Sequence, residues 1–301
     1  MSVLIAGSLA LDTIETPEAR IAEAVGGSAS FAMVAASFFS PVQLVGVVGE
    51  DFPPAHLDFF RSRGIDLQGL QRRPGKTFRW SGKYLPGFSE RVTLCTELNV
   101  SRDYQPQVPQ SFRRPHVVFL ANDHPRLQRQ VLDQVEKADF VICDTMNLWI
   151  NTAREELLAL LPRVDLLMLN DEEARLFTGQ GFLLKAGRQL LAQAGPRAVI
   201  IKKGEHGSLL IAKDQIFLAP AFPLEQFKDP TGAGDTFAGA LAGALARADG
   251  VSPMNLRRAM IYGAVLASFT VEAFSFDRLR SLTAAEIEER FRRLREMVSF
   301  D

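Results

Sequence analysis

Short, continuously apolar runs alternate with longer amphipathic stretches along most of the chain, and this alternation limits the fold more than any other feature. Strands that are apolar at every position are typical of a parallel sheet covered by helices on both faces. The alternation therefore predicts an α/β fold with a doubly wound, mainly parallel sheet. The predicted strands are 3–6, 42–48, 117–120, 140–143, 166–169 and 198–201.

Amphipathic stretches between these strands predict helices, and the last part of the chain is predicted to be wholly helical. Two segments depart from the alternation. Residues 76–99 alternate between apolar and polar around a Pro86-Gly87 turn, which predicts a β-hairpin outside the main sheet. Residues 209–218 predict a second hairpin. The predicted helices are 28–39, 55–62, 127–136, 152–161, 184–194, 235–248, 253–272 and 284–297.

Composition limits the partners of the protein. The 301 residues carry a formal net charge of −1, so no basic field is present to hold nucleic acid or an anionic membrane. No run approaches the ~20 apolar residues of a membrane span, and the first residues lack the pattern of a signal peptide. Cys95 and Cys143 are too few for a disulfide framework. We expect a cytoplasmic protein with a single domain over residues 1–301.

The strongest local signal is the segment 229–240, which reads DPTGAGDTFAGA. Gly232, Ala233 and Gly234 leave the backbone bare just before a long apolar helix, and N–H groups at a helix N-terminus form an anion site. Asp235 lies in the first turn of that helix, where a carboxylate is favoured in its charged form. A charged carboxylate beside a phosphate is useful when it accepts the proton of an attacking alcohol. The motif therefore predicts phosphoryl transfer with Asp235 as the base.

This segment resembles the C-terminal signature of the ribokinase (PfkB) family of carbohydrate and nucleoside kinases. The resemblance implies a ribokinase-like sheet with a small β lid, formed near residues 10–20 and 76–104. It also implies ATP and Mg²⁺ as cofactors and a small polyol, sugar or nucleoside as the substrate. The outer face of such a lid often pairs with a second subunit, so a homodimer is expected. Trp80 and Tyr84 of the hairpin are either ligand platforms or part of that dimer core.

Other motifs follow in the order that the resemblance requires. Asp12, Gly26 and Gly27 match positions that contact the hydroxyls and the ring of a sugar. Ser30 stands where the family usually has Asn. Asn122 and Asp144 follow predicted strands at their carboxyl ends, which form the ligand edge of such sheets.

The nucleotide side is implied by two further matches. Asn170 and Glu173 resemble the N-x-x-E motif that organises the water shell of Mg²⁺. Lys202, Gly204 and Gly207 resemble the nucleotide loop; Lys202 either touches a phosphate or is a solvated lysine. Gly234 and Gly263 are also expected to contact the nucleotide, and Asp229 and Thr231 match two positions of a monovalent cation site, such as one for K⁺.

Two other functions were weighed against a kinase. A dinucleotide-dependent dehydrogenase requires G-x-G-x-x-G after the first strand, and that stretch contains only Gly7. A catalytically silent relative that binds a metabolite remains an alternative, although Asp235 and its glycine-rich loop argue against it.

Overall fold

The computed structural model describes residues 1–85 and 91–299, and in this part of the chain nine strands form one main sheet. All six predicted strands belong to it and lie side by side with parallel partners. The main-sheet strands are β1 Val3–Ala6, β4 Val42–Gly49, β5 Ile65–Arg73, β8 Val117–Leu120, β9 Phe140–Asp144, β10 Leu166–Asn170, β11 Ala198–Lys202, β12 Ser208–Ala212 and β13 Gln215–Ala219. Their spatial order is β13-β12-β11-β10-β9-β8-β1-β4-β5.

The two edges of the main sheet differ in how well the sequence predicted them, and β5 is the strand that the apolar pattern missed. β5 closes one edge of the main sheet and mixes polar with apolar residues, so it lacks the continuous apolar run of a central strand. The predicted second hairpin is confirmed as β12 and β13, which extend the opposite edge in antiparallel fashion.

Four further strands form a separate sheet, and we call this sheet the lid. The predicted hairpin outside the main sheet is confirmed by the antiparallel pair β6–β7, whereas its Pro86-Gly87 turn lies outside the described residues. The lid order is β3-β2-β6-β7, and β2 pairs with β6 in parallel. The lid strands are β2 Ala10–Glu15, β3 Arg20–Gly26, β6 Phe78–Tyr84 and β7 Arg91–Glu97.

Helices cover both faces of the main sheet, as the continuous apolar strands predict. Alternate residues of one strand point to opposite faces, so Val3 and Ile5 join the core cluster of α1, α8 and α9 while Leu4 and Ala6 join a second cluster with α3. The helices are α1 Ser28–Ala36, α2 Pro54–Ser62, α3 Pro125–Leu132, α4 Asn147–Thr152, α5 Arg154–Leu160, α6 Asp171–Thr178, α7 Leu183–Ala194, α8 Ala233–Arg247, α9 Pro253–Thr270, α10 Asp277–Ser281 and α11 Ala284–Val298. The single helix predicted for residues 152–161 is wrong at its start, because the chain bends between α4 and α5. Among the described residues, no helix is long and apolar enough to cross a membrane.

Small residues let α1 and α8 approach closely. A Cβ at Gly239 would lie 2.1 Å from the carbonyl oxygen of Ala32, and one at Gly243 would lie 2.7 Å from that of Ala36. Because these neighbours are backbone atoms, they cannot rotate away as a side chain can. The Gly239–Gly243 face of α8 therefore fixes how near the two helices lie.

Gly239→Ala is expected to lower the free energy of unfolding by about 1–3 kcal/mol, because the added methyl overpacks the helix crossing. Urea or thermal denaturation measures the change. Gly181→Ala is the matched control, since a Cβ at Gly181 meets nothing within 4 Å, and it should change stability by less than about 0.5 kcal/mol. Equal effects of the two substitutions would contradict the close crossing.

Candidate active site

The loop before α8, residues 229–232, is shaped by a glycine in a left-handed conformation. Gly232 has φ 77° and caps the helix, and its carbonyl accepts the N–H of Thr236 at 2.8 Å. A Cβ at Gly232 would lie 2.4 Å from the ring of Phe31, which packs beneath the loop. Glycine is therefore needed here both for its backbone conformation and for its contact with α1. We call residues 229–235 the anion loop.

Two of the three amides predicted for the anion hole have no backbone partner. Ala233 donates its N–H to the carbonyl of Pro230 at 3.2 Å, so this amide helps to hold the turn. The N–H groups of Gly232 and Gly234 donate to no backbone carbonyl within residues 1–85 and 91–299. These two groups lie half-buried at the start of a fifteen-residue helix, where an anion is favoured.

A lysine lies beside the anion loop. The Nζ atom of Lys202 is 3.3 Å from the position of a Cβ on Gly234, and it forms a 2.8 Å ion pair with Asp144. Burial lowers the pKa of Lys202, but the charges of Asp144, Glu173 and Asp235 outweigh this effect and raise it. The interpretation of Lys202 as a solvated lysine is therefore wrong, because its side chain is only 17% exposed. The sequence had placed Asp144 at this edge, but not its contact with Lys202.

Asp235 lies in the first turn of α8, as predicted. Its negative charge acts on two groups that belong to different sides of the site, raising the pKa of both Lys202 and Asp12. The structure thus brings Asp12, Lys202 and Asp235 together from three distant segments of the chain.

Asp12 is buried in β2 of the lid. Its Oδ2 atom lies 1.8 Å from the position that a Cβ on Gly26 would occupy, so only glycine fits there. Its Oδ1 atom has no hydrogen-bond partner among the described residues. Burial, followed by the charges of Asp229 and Asp235, raises the pKa of Asp12 to about 7, although the N–H of Gly27 acts in the opposite direction. Asp12 is therefore a buried acid and not a solvated one.

The start of α1 is capped by a glycine and not by the serine that follows it. Gly27, with φ 90°, is the N-cap, and Ser28 does not cap the helix. The hydroxyl of Ser28 instead donates to the carbonyl of Asn122 at 2.9 Å and lies 3.1 Å from the hydroxyl of Ser8. The first turn of α1 is therefore joined to the loops that follow β1 and β8. Gly27 itself packs on the carbonyl of Ser8.

Asn122 is held by its own neighbours. Trp149 donates its indole N–H to Oδ1 of Asn122 at 3.0 Å, and Nδ2 of Asn122 lies 3.2 Å from the sulfur of Met146. Ser30, which stands where the family usually has Asn, is fully buried, and its Oγ has no partner among the described residues.

No sequence pattern pointed to Asp123, whose pKa burial raises to about 6.

Four of the predicted nucleotide residues lie at the carboxyl ends of β10 and β11 or on the loop after β11: Asn170, Lys202, Gly204 and Gly207. Asn170 caps α6 and forms a reciprocal capping box with Glu173, with both hydrogen bonds at 2.7 Å. Gly204 and Gly207 have φ values of 56° and 76°, and a Cβ at Gly207 would lie 2.1 Å from a backbone carbonyl. Gly263 is buried at the crossing of α8 and α9, where a Cβ would lie 2.8 Å from the ring of Phe237.

The residues fit a magnesium ion that is held mainly by its waters. Within residues 1–85 and 91–299, no group of three or more His, Cys, Asp or Glu side chains could enclose a metal. Glu173 is fixed by the capping box and close enough to act on the charge of Lys202. Mg²⁺ keeps several waters and binds phosphates readily, so a single carboxylate that accepts hydrogen bonds from those waters suits it.

Asp229 is a buried acid at the beginning of the anion loop. Its Oδ1 atom accepts the N–H of Thr231 at 2.9 Å, while its Oδ2 atom makes no hydrogen bond of ordinary geometry within the described chain. Burial raises its pKa. A buried carboxylate oxygen without a donor is a position that a cation can satisfy.

A contact between distant segments fixes the backbone beside the Gly26-Gly27 pair. Ser275, which has φ 53°, donates its hydroxyl to the carbonyl of Val25 at 2.5 Å. The end of β3 is therefore anchored to the loop that follows α9.

The sequence profile described as pfkB family carbohydrate kinase matches residues 4–278. The chain belongs to the pfkB family. It is 30% identical over 246 residues to a cytidine kinase from Thermococcus kodakarensis, an alignment that covers 79% of this chain and 86% of the relative. As a pfkB-type kinase, it transfers a phosphoryl group to a small-molecule acceptor.

Solved structures of similar shape confirm the ribokinase-like fold of this pfkB kinase. A nucleoside kinase from Methanocaldococcus jannaschii has a TM-score of 0.78 at 19% identity, with 97% of this chain and 98% of that chain covered. A ribokinase from Thermotoga maritima has a TM-score of 0.76 at 20% identity, with 97% and 99% covered.

We expect the acceptor kcat/KM of this pfkB kinase to rise with pH through about 7. The reason is that a protonated Asp12 would lose the charge-assisted bonds to acceptor hydroxyls that the resemblance implies, whereas an ionised carboxylate could accept two hydroxyls. A pH profile of kcat/KM for the best acceptor measures this step. Asp12→Asn should remove the step and lower kcat/KM by about tenfold or more. A wild-type profile that is flat around pH 7 would contradict this role.

Proposed function

We propose that this kinase uses ATP to phosphorylate a hydroxyl of a sugar, a sugar-like alcohol or a nucleoside, with Asp235 as the general base. The observation that carries the proposal is the position of Asp235. It lies in the first turn of α8 and acts electrostatically on Asp12 of the lid and on Lys202 beside the anion loop. A base for phosphoryl transfer must lie between the acceptor and the phosphate, and these electrostatic interactions support that position.

In the proposed reaction, each of these residues has a separate role. Asp12 accepts hydrogen bonds from acceptor hydroxyls and orients the reacting oxygen. Asp235 takes the proton of that hydroxyl as its oxygen attacks the γ-phosphorus of ATP. The bond from this phosphorus to the bridging oxygen breaks, and ADP leaves with the electron pair. The amides of Gly232 and Gly234 and the ammonium of Lys202 stabilise the negative charge on the transferring group.

Metal ions complete the charge balance in this proposal. Mg²⁺, when bound with the nucleotide, would neutralise phosphate charge, and Glu173 would accept hydrogen bonds from its waters. Asn170 holds Glu173 in place through the capping box. A monovalent cation would satisfy the unpaired Oδ2 of Asp229, with Thr231 as a neighbour.

Among acceptors, we favour a nucleoside. A relative that is similar to this chain over most of its own length is a cytidine kinase. The carboxylate of Asp12 and the backbone of Gly26 and Gly27 suit a ribosyl ring. No arginine of the described site is positioned to bind a phosphate on the acceptor, so an unphosphorylated acceptor is favoured. A panel of cytidine, adenosine, ribose and fructose tests this preference by coupled ADP release.

The assembly and location of the protein stay predictions. The exposed apolar side chains of Val92 and Leu94 lie on β7, an edge strand of the lid, and Leu98 follows it. A row of exposed apolar side chains on a strand with only one neighbour in the described part of the lid supports the expected homodimer. A cytoplasmic location is expected on the grounds given by the sequence.

Asp235→Asn should lower the rate of ADP formation by about 10²–10⁴-fold, because the amide cannot accept the proton of the attacking hydroxyl. Binding of ATP, measured by calorimetry, should change little. Asp249→Asn is the control, since this aspartate is exposed just beyond the far end of α8. If the Asp235 variant kept wild-type turnover, the assignment of the base would be wrong.

Lys202→Met should lower kcat by about 10²–10³-fold, because it removes a positive charge beside the transferring phosphoryl group. Asp144→Asn should lower kcat by less, about tenfold, because the ammonium of Lys202 remains but loses the ion pair that positions it. Steady-state kinetics with saturating ATP measures both variants, and Lys213→Met, at an exposed hairpin turn, is the control. An unchanged kcat in the Lys202 variant would remove this residue from the mechanism.

A further inference from the structure

The lid touches the anion loop through a pair of hydroxyl groups. The hydroxyl of Tyr84 and Oγ1 of Thr231 are 2.9 Å apart, although the two residues are 147 positions apart in the chain. Tyr84 is the last residue of β6 and is only 6% exposed. Thr231 immediately precedes Gly232, whose N–H faces the phosphate in the proposed reaction. The contact therefore joins the lid to the turn that holds the transferring group.

The same strand also contacts the acceptor side of the site. Trp80 of β6 is paired with Asp12 in the register of the lid, and its backbone N–H lowers the pKa of the Asp12 carboxyl. The Trp80 ring lies over Gly82, where a Cβ would be 2.0 Å away. Trp80, Gly82 and Tyr84 occupy alternate positions and so share one face of the strand. One strand face thus runs from the acceptor carboxylate to the anion loop.

We propose that Tyr84 is a positioning residue that latches the closed lid to the anion loop through Thr231. A bond between two neutral hydroxyls is well suited to this role, because water can replace either partner when the lid opens. The loop keeps its own shape through the Thr231 N–H bond to Asp229 and the Ala233 N–H bond to Pro230. The Thr231 hydroxyl takes no part in these two backbone bonds; it contacts Tyr84 of the lid and also acts as a hydrogen-bond partner on the pKa of the Asp229 carboxyl.

The latch has a chemical consequence. Water competes with the acceptor alcohol for the phosphoryl group, and a closed lid excludes it. Loss of the latch should therefore slow transfer to the acceptor and raise the share of ATP that is hydrolysed. A residue that only stabilised the fold would lower the amount of active enzyme without changing that share.

Tyr84→Phe tests this inference, because it removes one oxygen and keeps the buried ring. We expect kcat/KM for the acceptor to fall about three- to tenfold, together with a larger fraction of ADP formed without phosphorylated acceptor. The acceptor used is whichever of cytidine and ribose gives the higher wild-type kcat/KM. Phosphorylated acceptor is quantified by chromatography and ADP by a coupled assay. Thermal unfolding of each variant confirms that it is folded.

Thr231→Val and the double variant complete the cycle. If the two hydroxyls act only on each other, the double variant should be no slower than either single variant. Tyr262→Phe is the matched control, because its hydroxyl donates to Glu288 at the same distance of 2.9 Å, between α9 and α11. It should keep kcat/KM within about twofold of wild type and the hydrolysed share unchanged.

Three outcomes would overturn the latch. Wild-type transfer and an unchanged hydrolysed share in Tyr84→Phe would show that the contact contributes neither to transfer nor to the exclusion of water. Losses that multiply in the double variant would show that the two hydroxyls act independently. An equal effect of Tyr262→Phe would assign the losses to general destabilisation. The first result leaves the proposed phosphorylation intact, whereas absence of turnover in the wild-type enzyme would count against both.

Discussion

Negative charge crowded into a buried site is the constraint on which the rest of the active site depends. Asp12 of the lid lies near Asp229 and Asp235 of the anion loop, and their repulsion, added to burial, raises the pKa of Asp12. A site for a polyanion is expected to carry the opposite charge. Lys202 and the helix N-terminus at the anion loop offset part of it. The remaining negative charge suits the groups that a kinase reaction supplies, which are hydroxyl donors, a proton and the metal ions bound to phosphate.

The close crossing of α1 and α8 turns this charge distribution into a geometry. Backbone contacts at Gly239 and Gly243 set the separation of the helices, and Phe31 of α1 supports the anion loop from below. Both helices begin with a glycine cap of positive φ, Gly27 and Gly232. The proposed positions of the acceptor and the phosphoryl group each lie at the start of a helix, and packing in the core sets the distance between the two helix starts.

Residues whose role is local could be predicted from the sequence, whereas residues whose role depends on a distant partner could not. Continuous apolar runs identified the central strands, and the motif around Asp235 identified its helix turn. The pairing of Lys202 with Asp144 joins the ends of two strands, and no local pattern encodes it. Serine is a residue type that commonly caps helices, but the hydroxyl of Ser28 bonds to a loop 94 residues away. β5 was not predicted, because an edge strand needs no continuous apolar run.

The bond from Ser275 to the carbonyl of Val25 spans 250 residues. Contacts of such separation form late, because the chain must first close a very long loop. The first lid strands and Asp12 are synthesised early, yet the backbone next to Gly26 gains its anchor only after α9 has been made and docked. The backbone beside the proposed acceptor contacts therefore cannot gain this anchor until most of the chain has been synthesised.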